Sequence, residues 1–400
     1  MQSSVRAGNI LPRDTGLQWP VACWKSPSFH NTAPTTNQIQ SPIPPHAFVD
    51  YALECLVADV SYVPRDHVRL QRPRTGGSNN FMHPFWDNSK QIMSIVSGNA
   101  ANAYYLNRKD SIQNVALVSG SWNTRLYGAW PIVRRPGNIP EINSPRQRLL
   151  NGSPVRILRK KHTTPWERIK TNPAVFSYDT SAIGGGDEPM IIQLWGKCAI
   201  PENGYQVGDE VIFFGNDGGG AAPTNGGEVW YNRGTVGFGV AAGHSMLTAD
   251  GSALVAATPA NWYYQLRMAF ATDKDGDILT PTNNRNLGLV SMFYTPWQQV
   301  YVNKPRKFRL PANFDCIDIG VSFRMNQDAI AGNWLAGDQL YSRNSGQLNT
   351  ASIPTILVRG RDVIVPAYAS GDTNVNKTTG AGGIAILSPR VEFQLRAIGT

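Results

Sequence analysis

CAIPENGYQVGD (Cys198–Asp209) and CLVADVSYVPRD (Cys55–Asp66) are two versions of one phrase. In each, tyrosine follows cysteine by seven residues and aspartate follows tyrosine by four. A third version reads WLAGDQL (Trp334–Leu340) against YQVGDEV (Tyr205–Val211). A second block recurs downstream as SWNTRLYGAW (Ser121–Trp130), NWYYQLRMAF (Asn261–Phe270) and RVEFQLRAI (Arg390–Ile398). From the second version to the third both blocks move by 129 residues, Asp209 to Asp338 and Gln265 to Gln394. The first version departs at two positions, with Arg65 for Gly208 and His67 for Glu210. Two blocks in fixed order at near-constant separation mark an internal repeat, and a missed repeat misassigns the whole fold. Three related modules suit a protein that builds or binds better than one with a single catalytic pocket.

Composition points the same way. The chain has 400 residues, enough for two to four domains. Charged residues are 16%, below the usual quarter, while aromatics reach 10% with Trp 11. Low charge with many glycines, prolines and aromatics suits short strands joined by turns, and surfaces covered by neighbouring subunits. No apolar run approaches the roughly 20 residues of a membrane helix. The start, Met1 to Ile10, lacks the apolar region of a signal peptide, so synthesis and assembly in a cytoplasm are expected. Cys23, Cys55, Cys198 and Cys316 form no C-x-x-C pair, which argues against zinc and against a disulfide framework. Cys55 and Cys198 read as small buried hydrophobes.

Along the chain, helical periodicity is nearly absent. Ile191-Ile192-Gln193-Leu194-Trp195, Val211 to Phe214, Val229-Trp230-Tyr231 and Thr235 to Val240 are short β-rich runs. Gly218 to Gly220 and Asn225-Gly226-Gly227 punctuate them. The pattern predicts an all-β chain of three antiparallel sandwich or barrel-like modules, with the closing Gln-Leu-Arg strand near the first strand of each. Residues 1–45, rich in Pro but carrying Trp19, Trp24 and Phe29, read as an extended arm ordered by docking, on another subunit. The first module spans 46–133, a basic Pro-rich connector 134–188, the second module 189–272, a second basic connector 273–313 and the third module 314–400. Ten basic residues between Arg134 and Lys170 face only Glu141 and Glu167, and account for most of the net charge of +9. The phrase Thr164-Pro165-Trp166 returns as Thr295-Pro296-Trp297, so the connector belongs to the repeat.

Catalytic constellations do not emerge. Asp273-Lys274-Asp275-Gly276-Asp277 resembles the opening of a calcium loop, but glycine falls at the fourth position and Asn284 stands where a bidentate glutamate is required. Gly184 to Gly186 and Gly218 to Gly220 lack the lysine and helix start of a phosphate loop. The histidines His30, His46, His67, His83, His162 and His244 accompany no nucleophile-elbow phrase. Carboxylates are too scattered to nominate a glycosidase pair. The chain is therefore read as a non-enzyme, with no catalytic, cofactor-binding or metal residues and no cofactor. Tyr104-Tyr105, Trp230-Tyr231 and Tyr263-Tyr264 place aromatics on both faces of strands, one for the core and one for an interface or a sugar platform.

Gly204 to Val211, the Gly/Asn-rich stretch after it, and Asn261-Trp262 with the apolar strand through Ala269 resemble a small β module. That module recurs in virion tail proteins of tailed bacteriophages. The resemblance covers residues 189–272 best and the third module less well. It implies a structural or adhesive subunit in a multi-copy symmetric assembly, and names no site residues. The expectation is a bacteriophage virion structural protein of the tail, baseplate, collar or attached fibre, assembled in the host cytoplasm through arms and β edges. Its partners would be other copies of itself and other virion proteins, without membrane insertion. The alternatives are a receptor-binding tail protein that holds host surface glycan, and a capsid or capsid-decoration protein. Nucleic acid ranks behind an acidic neighbouring subunit as the partner of the basic connector.

Overall fold

Short β-branched and aromatic runs ended by Gly, Pro and Asn fold into strands here, because such residues pack on a pleated surface and the turn residues stop each run. The computed structural model describes residues 21–30, 35–69, 74–75, 80–97, 103–111, 114–131, 155–170, 174–184, 188–212, 227–240, 244–250, 254–271, 290–299, 305–328, 332–342, 356–365, 372–374, 376–378, 384–386 and 391–400. The chain is all-β and its strand pairs are antiparallel.

Among the described residues, thirty strands follow one another in three sets of ten. The first segment holds β1 (Val21–Lys25), β2 (Thr35–Ile39), β3 (Phe48–Cys55), β4 (His67–Arg69), β5 (Arg74–Thr75), β6 (Asn80–Asp87), β7 (Ile92–Ser97), β8 (Ala103–Asn107), β9 (Asn114–Val118) and β10 (Trp122–Pro131). The second holds β11 (Arg156–Thr163), β12 (Glu167–Arg168), β13 (Ala174–Asp179), β14 (Ile191–Cys198), β15 (Glu210–Ile212), β16 (Gly227–Asn232), β17 (Thr235–Val240), β18 (His244–Leu247), β19 (Leu254–Ala257) and β20 (Trp262–Ala271). The third holds β21 (Ser291–Tyr294), β22 (Gln298–Gln299), β23 (Arg306–Arg309), β24 (Cys316–Met325), β25 (Gln339–Ser342), β26 (Leu357–Arg359), β27 (Asp362–Val365), β28 (Asp372–Asn374), β29 (Ile384–Ile386) and β30 (Val391–Gly399).

The two repeated blocks occupy corresponding strands. In each segment the long last strand pairs with the strand that leads into the aspartate phrase: β10 with β3, β20 with β14, β30 with β24. On its other side it takes a strand from the preceding connector: β1, β11 or β21. The residue after that strand, Ser26, Thr164 or Thr295, bonds the last strand in the same way each time. Its N–H donates to the carbonyl of Leu126, Leu266 or Leu395 at 2.9, 3.0 and 3.0 Å. Its hydroxyl accepts from the N–H of the same leucine at 2.9, 3.0 and 3.0 Å. The Thr-Pro phrase in the connectors is thus part of the sheet. Ser26-Pro27 is its first version, which the sequence comparison overlooked. The arm expected to dock on another subunit behaves differently in its described part. Residues 21–25 pair with β10 and β11 of the same chain, and Trp24 is buried in the first segment's core.

Strand pairing between segments closes in a cycle. The short strand after each aspartate pairs with the leading strand of the next segment's hairpin: β4 with β16, β15 with β26, and β25 with β6. Each hairpin, β6–β7, β16–β17 or β26–β27, also enters the core of the segment it reaches. Trp230 packs in the core built around Trp122 and Leu126, Leu357 in the core around Trp262, and Phe85 in the core around Leu395. A further core joins all three segments through Phe48, Ile191 and Ile317 at the starts of β3, β14 and β24. This explains why Ile191 to Trp195 is apolar without alternation. Ile192 and Leu194 face the second core, Ile191 the shared core, and Trp195 the third core. The cycle has one departure: β1 pairs with β11, and the described strands include no matching β11–β21 pair. Among the described residues, no helix is long and apolar enough to cross a membrane.

Candidate functional site

The repeated aspartates are buried, Asp66 0%, Asp209 2% and Asp338 0% exposed, and each forms the same latch. The loop closes first on itself. The aspartate carbonyl accepts from the N–H of Cys55, Cys198 or Met325 at 2.8, 2.8 and 2.9 Å. The N–H of the preceding residue, Arg65, Gly208 or Gly337, returns to the carbonyl of that same Cys or Met at 2.8, 2.9 and 2.8 Å. These three residues have φ of 75, 92 and 90°, the left-handed region that glycine adopts without steric cost. One side-chain oxygen of each aspartate then accepts the N–H three residues earlier, from Val63, Gln206 or Leu335, at 2.7, 2.9 and 2.8 Å.

The remaining capacity of each carboxylate goes to the next segment. Asn232 Nδ2 donates to Asp66 Oδ1 at 2.8 Å. Arg359 Nε and Nη2 donate to Asp209 Oδ1 and Oδ2 at 2.7 and 2.6 Å. The Asn88 N–H donates to Asp338 Oδ1 at 2.9 Å. All three donors stand at the turn of the hairpin that crosses the boundary, so the latches follow the cycle of strand pairing. Two of them add a lysine from their own segment, Lys109 on Asp66 and Lys377 on Asp338, each at 2.7 Å. In the second segment the corresponding turn carries Ala249, whose N–H bonds the Asn203 carbonyl as that of Lys377 bonds Gly332, at 3.0 and 2.9 Å. There the bidentate Arg359 supplies both the cross-boundary bond and the positive charge.

A second set of residues lines the boundaries from the last strands. Arg267 donates through Nε to Gln265 Oε1 at 3.0 Å, as Arg396 does to Gln394 Oε1 at 3.0 Å. Arg267 then reaches the third segment at the Cys316 carbonyl, 2.9 Å, pairs with Glu210 at 2.7 Å, and lies 4.2 Å over the Trp195 ring. Arg396 reaches the first segment at the Ala47 carbonyl and sits among the rings of Tyr294 and Tyr341. Burial lowers its guanidinium pKa, opposed by the two phenols.

In the first segment Tyr127 takes the arginine's place, and a charged cluster replaces the single cation. The Tyr127 hydroxyl donates to Glu188, which also pairs with His67 Nδ1 at 2.6 Å, Arg69 at 3.4 Å and Lys25 at 3.5 Å. Arg69 pairs with Asp50 at 3.3 Å, lies 3.4 Å over the Tyr127 ring and donates to the Pro189 carbonyl. His67 Nε2 faces Glu54 at 3.5 Å, and Glu54 pairs with Arg125 at 2.8 Å. Burial disfavours the imidazolium, but Glu188 and Glu54 together hold the His67 pKa above its ordinary 6.5. Burial also opposes the charge on Glu188, yet His67, Arg69 and Lys25 hold its carboxyl far below the usual range. The hydrogen bond from His67 leads in holding Glu54 at about 2, against its partial burial. These groups face one another across the boundary between the first two segments, with Nε of Arg69 and of Arg125 buried and unbonded among them.

The other residues singled out from the sequence fall as follows. The four cysteines are buried and free, and burial leads in raising the Cys55 thiol to about 11. His30 and His46 are exposed, and the pKa of His162 is lowered by burial. Trp230 and Tyr231 are both buried, one in the first core and one in the second, so neither face of that strand is a sugar platform. Tyr264 is buried, and Tyr263 is half-buried beside Arg168. Asp273 to Asp277, Gly218 to Gly220 and the side chains of Tyr104, Tyr105, His83 and His244 lie outside the described residues. Among the described residues no group of His, Cys, Asp and Glu could hold a metal ion. Sequence reasoning missed Glu188, Arg69 and Tyr127. The signal that marks their boundary is the substitution already noted, His67 where the second version has Glu210. No protein-family model matches the chain, and no curated protein matches it.

Proposed function

We propose that this chain is a non-catalytic building unit of a multi-copy assembly, a virion structural protein of the tail, baseplate, collar or attached fibre of a bacteriophage. One observation carries the reading. The residues that recur in all three segments, the aspartate, the hydroxyl after the connector strand and the turn that precedes the aspartate, all serve to hold strands and segments together. A chain whose repeated polar groups are all committed to cohesion offers rigidity rather than chemistry. The segments share cores and latches, so force applied to one is passed to the others. The outer strands β2, β13 and β23 each pair with one neighbour among the described strands, β7, β17 and β27, and offer their other edge for main-chain pairing between copies. The tail-module resemblance supports the same class, with assembly in the host cytoplasm.

A capsid-decoration role is the second reading, favoured by the threefold recurrence. One such chain can match three equivalent neighbours around a threefold position. Sedimentation and negative-stain imaging of the purified protein test both. The proposal expects concentration-dependent assembly into rings or short stacks. A monomer at every concentration would overturn it, and cleavage of a polysaccharide by that monomer would put an enzyme in its place.

A further inference from the structure

All three aspartate loops expose large hydrophobics, Ile200 and Val207 on the second and Leu335 on the third, but the first carries the most, with Leu56, Val57, Val60 and Val63 exposed by 42 to 60%. That loop also accepts backbone strain its sister loops avoid. Val60 has φ of 55°, where the second loop has Asn203 at 52°. Arg65 has φ of 75°, where the sister loops have Gly208 and Gly337. Asparagine and glycine enter the left-handed region readily, whereas a β-branched residue there is an outlier. Both strained residues point side chains into solvent. Strain held at a site without internal contacts is a mark of a role outside the folded chain.

The occupant can be chosen by charge among the three outer strands. On β13 the exposed positions are Val175, Ser177 and Asp179, an apolar group and a carboxylate on one face, roughly 13 Å apart along the strand. Asp179 Oδ1 accepts the Ser181 N–H at 2.8 Å, and its carboxylate stands exposed with no cation among its partners in the described residues. The corresponding exposed positions on β23 are Lys307 and Arg309, which repel Arg65, and β2 carries no charge. We infer that the loop Leu56 to Arg65 of one copy docks on the outer face of β13 in a second copy, with Val60 against Val175 and Arg65 paired to Asp179. The contact joins different surfaces on the two copies, so its repetition gives a ring or a stack. This inference rests on the building-unit reading.

Sedimentation equilibrium of the full chain, of Arg65→Asp, of Asp179→Arg and of their equimolar mixture tests it. Each reversal alone weakens self-association at least tenfold. The mixture regains association, because the two reversed charges then face each other. Val60→Asn weakens association while leaving the melting temperature equal or higher, since it installs the residue of the sister loop. Assembly of the unmutated chain that neither reversal disturbs would overturn this contact and leave the building-unit reading standing. A monomeric unmutated chain at all concentrations would overturn both.

Discussion

The boundary between the first two segments and the boundary between the second and third occupy corresponding places and are bonded differently. At the second boundary one cation, Arg267, joins Glu210, the Cys316 carbonyl and the Trp195 ring. At the first, Tyr127 stands in its place, and cohesion comes from Glu188, His67, Arg69 and Asp50, all buried. The second boundary gathers one cation, one carboxylate, a carbonyl and a ring, whereas the first gathers a histidine with several carboxylates and cations. The comparison teaches that the backbone cycle fixes where a cross-boundary group must stand, while the choice of group sets how that boundary answers to mutation and to acid.

The largest effect should come from Glu188→Gln, which leaves Arg69, His67 and Lys25 facing a neutral amide. Breaking a buried pair in this way costs about 3–5 kcal/mol, measured by urea unfolding. Arg267→Met at the sister boundary should cost less, about 1–3 kcal/mol, because Glu210 is partly exposed and the bonds lost in the interior, to the Cys316 carbonyl and to Gln265, are to neutral partners. Equal costs would erase the distinction.

The latches allow a second contrast. A Cβ at Gly337 would stand 2.4 Å from Asn88 Nδ2, whereas one at Gly208 meets nothing within 4 Å. Gly208→Ala should therefore cost about 1 kcal/mol for φ alone. Gly337→Ala should cost more, about 1–2 kcal/mol, since the exposed Asn88 amide must also swing aside.

The pH response separates the boundaries next. The His67 pKa is raised above 6.5, so its contribution is complete below 6.5 and is lost as pH rises through the raised value. Those of Glu54 and Glu188 are lowered from 4.5, so their contribution is complete above 4.5 and is lost as pH falls through the lowered values. Stability from this cluster should thus be greatest between pH 4.5 and 6.5. Its alkaline limb should amount to about 1.4 kcal/mol for each unit by which the His67 pKa is raised. Melting curves across pH should show that limb in the unmutated chain and its loss in His67→Gln. Arg267→Met should leave the limb in place.

The smallest effects belong to the part the segments share. Ser26→Ala, Thr164→Val and Thr295→Val each remove one acceptor from a leucine N–H and should cost about 1 kcal/mol apiece. A markedly unequal series would mean that the connector strands are not equivalent in the sheet.

Much of the fold was legible because turn chemistry and strand pattern are local. The aspartate phrase could be aligned from Gly208 and Gly337, whose left-handed backbone restricts the residue, and from the tyrosine or tryptophan buried beneath it. The Thr-Pro-Trp phrase likewise showed that the connectors join the repeat. The latch partners were not legible. Asn232, Arg359 and Asn88 lie in hairpins of different length and composition, and only closure of the cycle brings them to Asp66, Asp209 and Asp338. Glu188 follows Asp187 and precedes Pro189 in a Gly-rich stretch, and nothing local announces that His67, 121 residues earlier, will meet it. Trp230-Tyr231 misled for a related reason. A strand buried between two cores shows aromatics on both faces, and a sequence cannot tell that from a strand with one face open.

The central claim is that the segments are bonded to one another in a closed cycle through the aspartates. A double-mutant cycle between Asp209 and Arg359, with Asp209→Ala, Arg359→Ala and the pair compared by urea unfolding, tests it most directly. The account predicts a coupling of about 1–3 kcal/mol, because a bidentate bond to a buried carboxylate crosses the boundary. Additivity to within about 0.5 kcal/mol would contradict it.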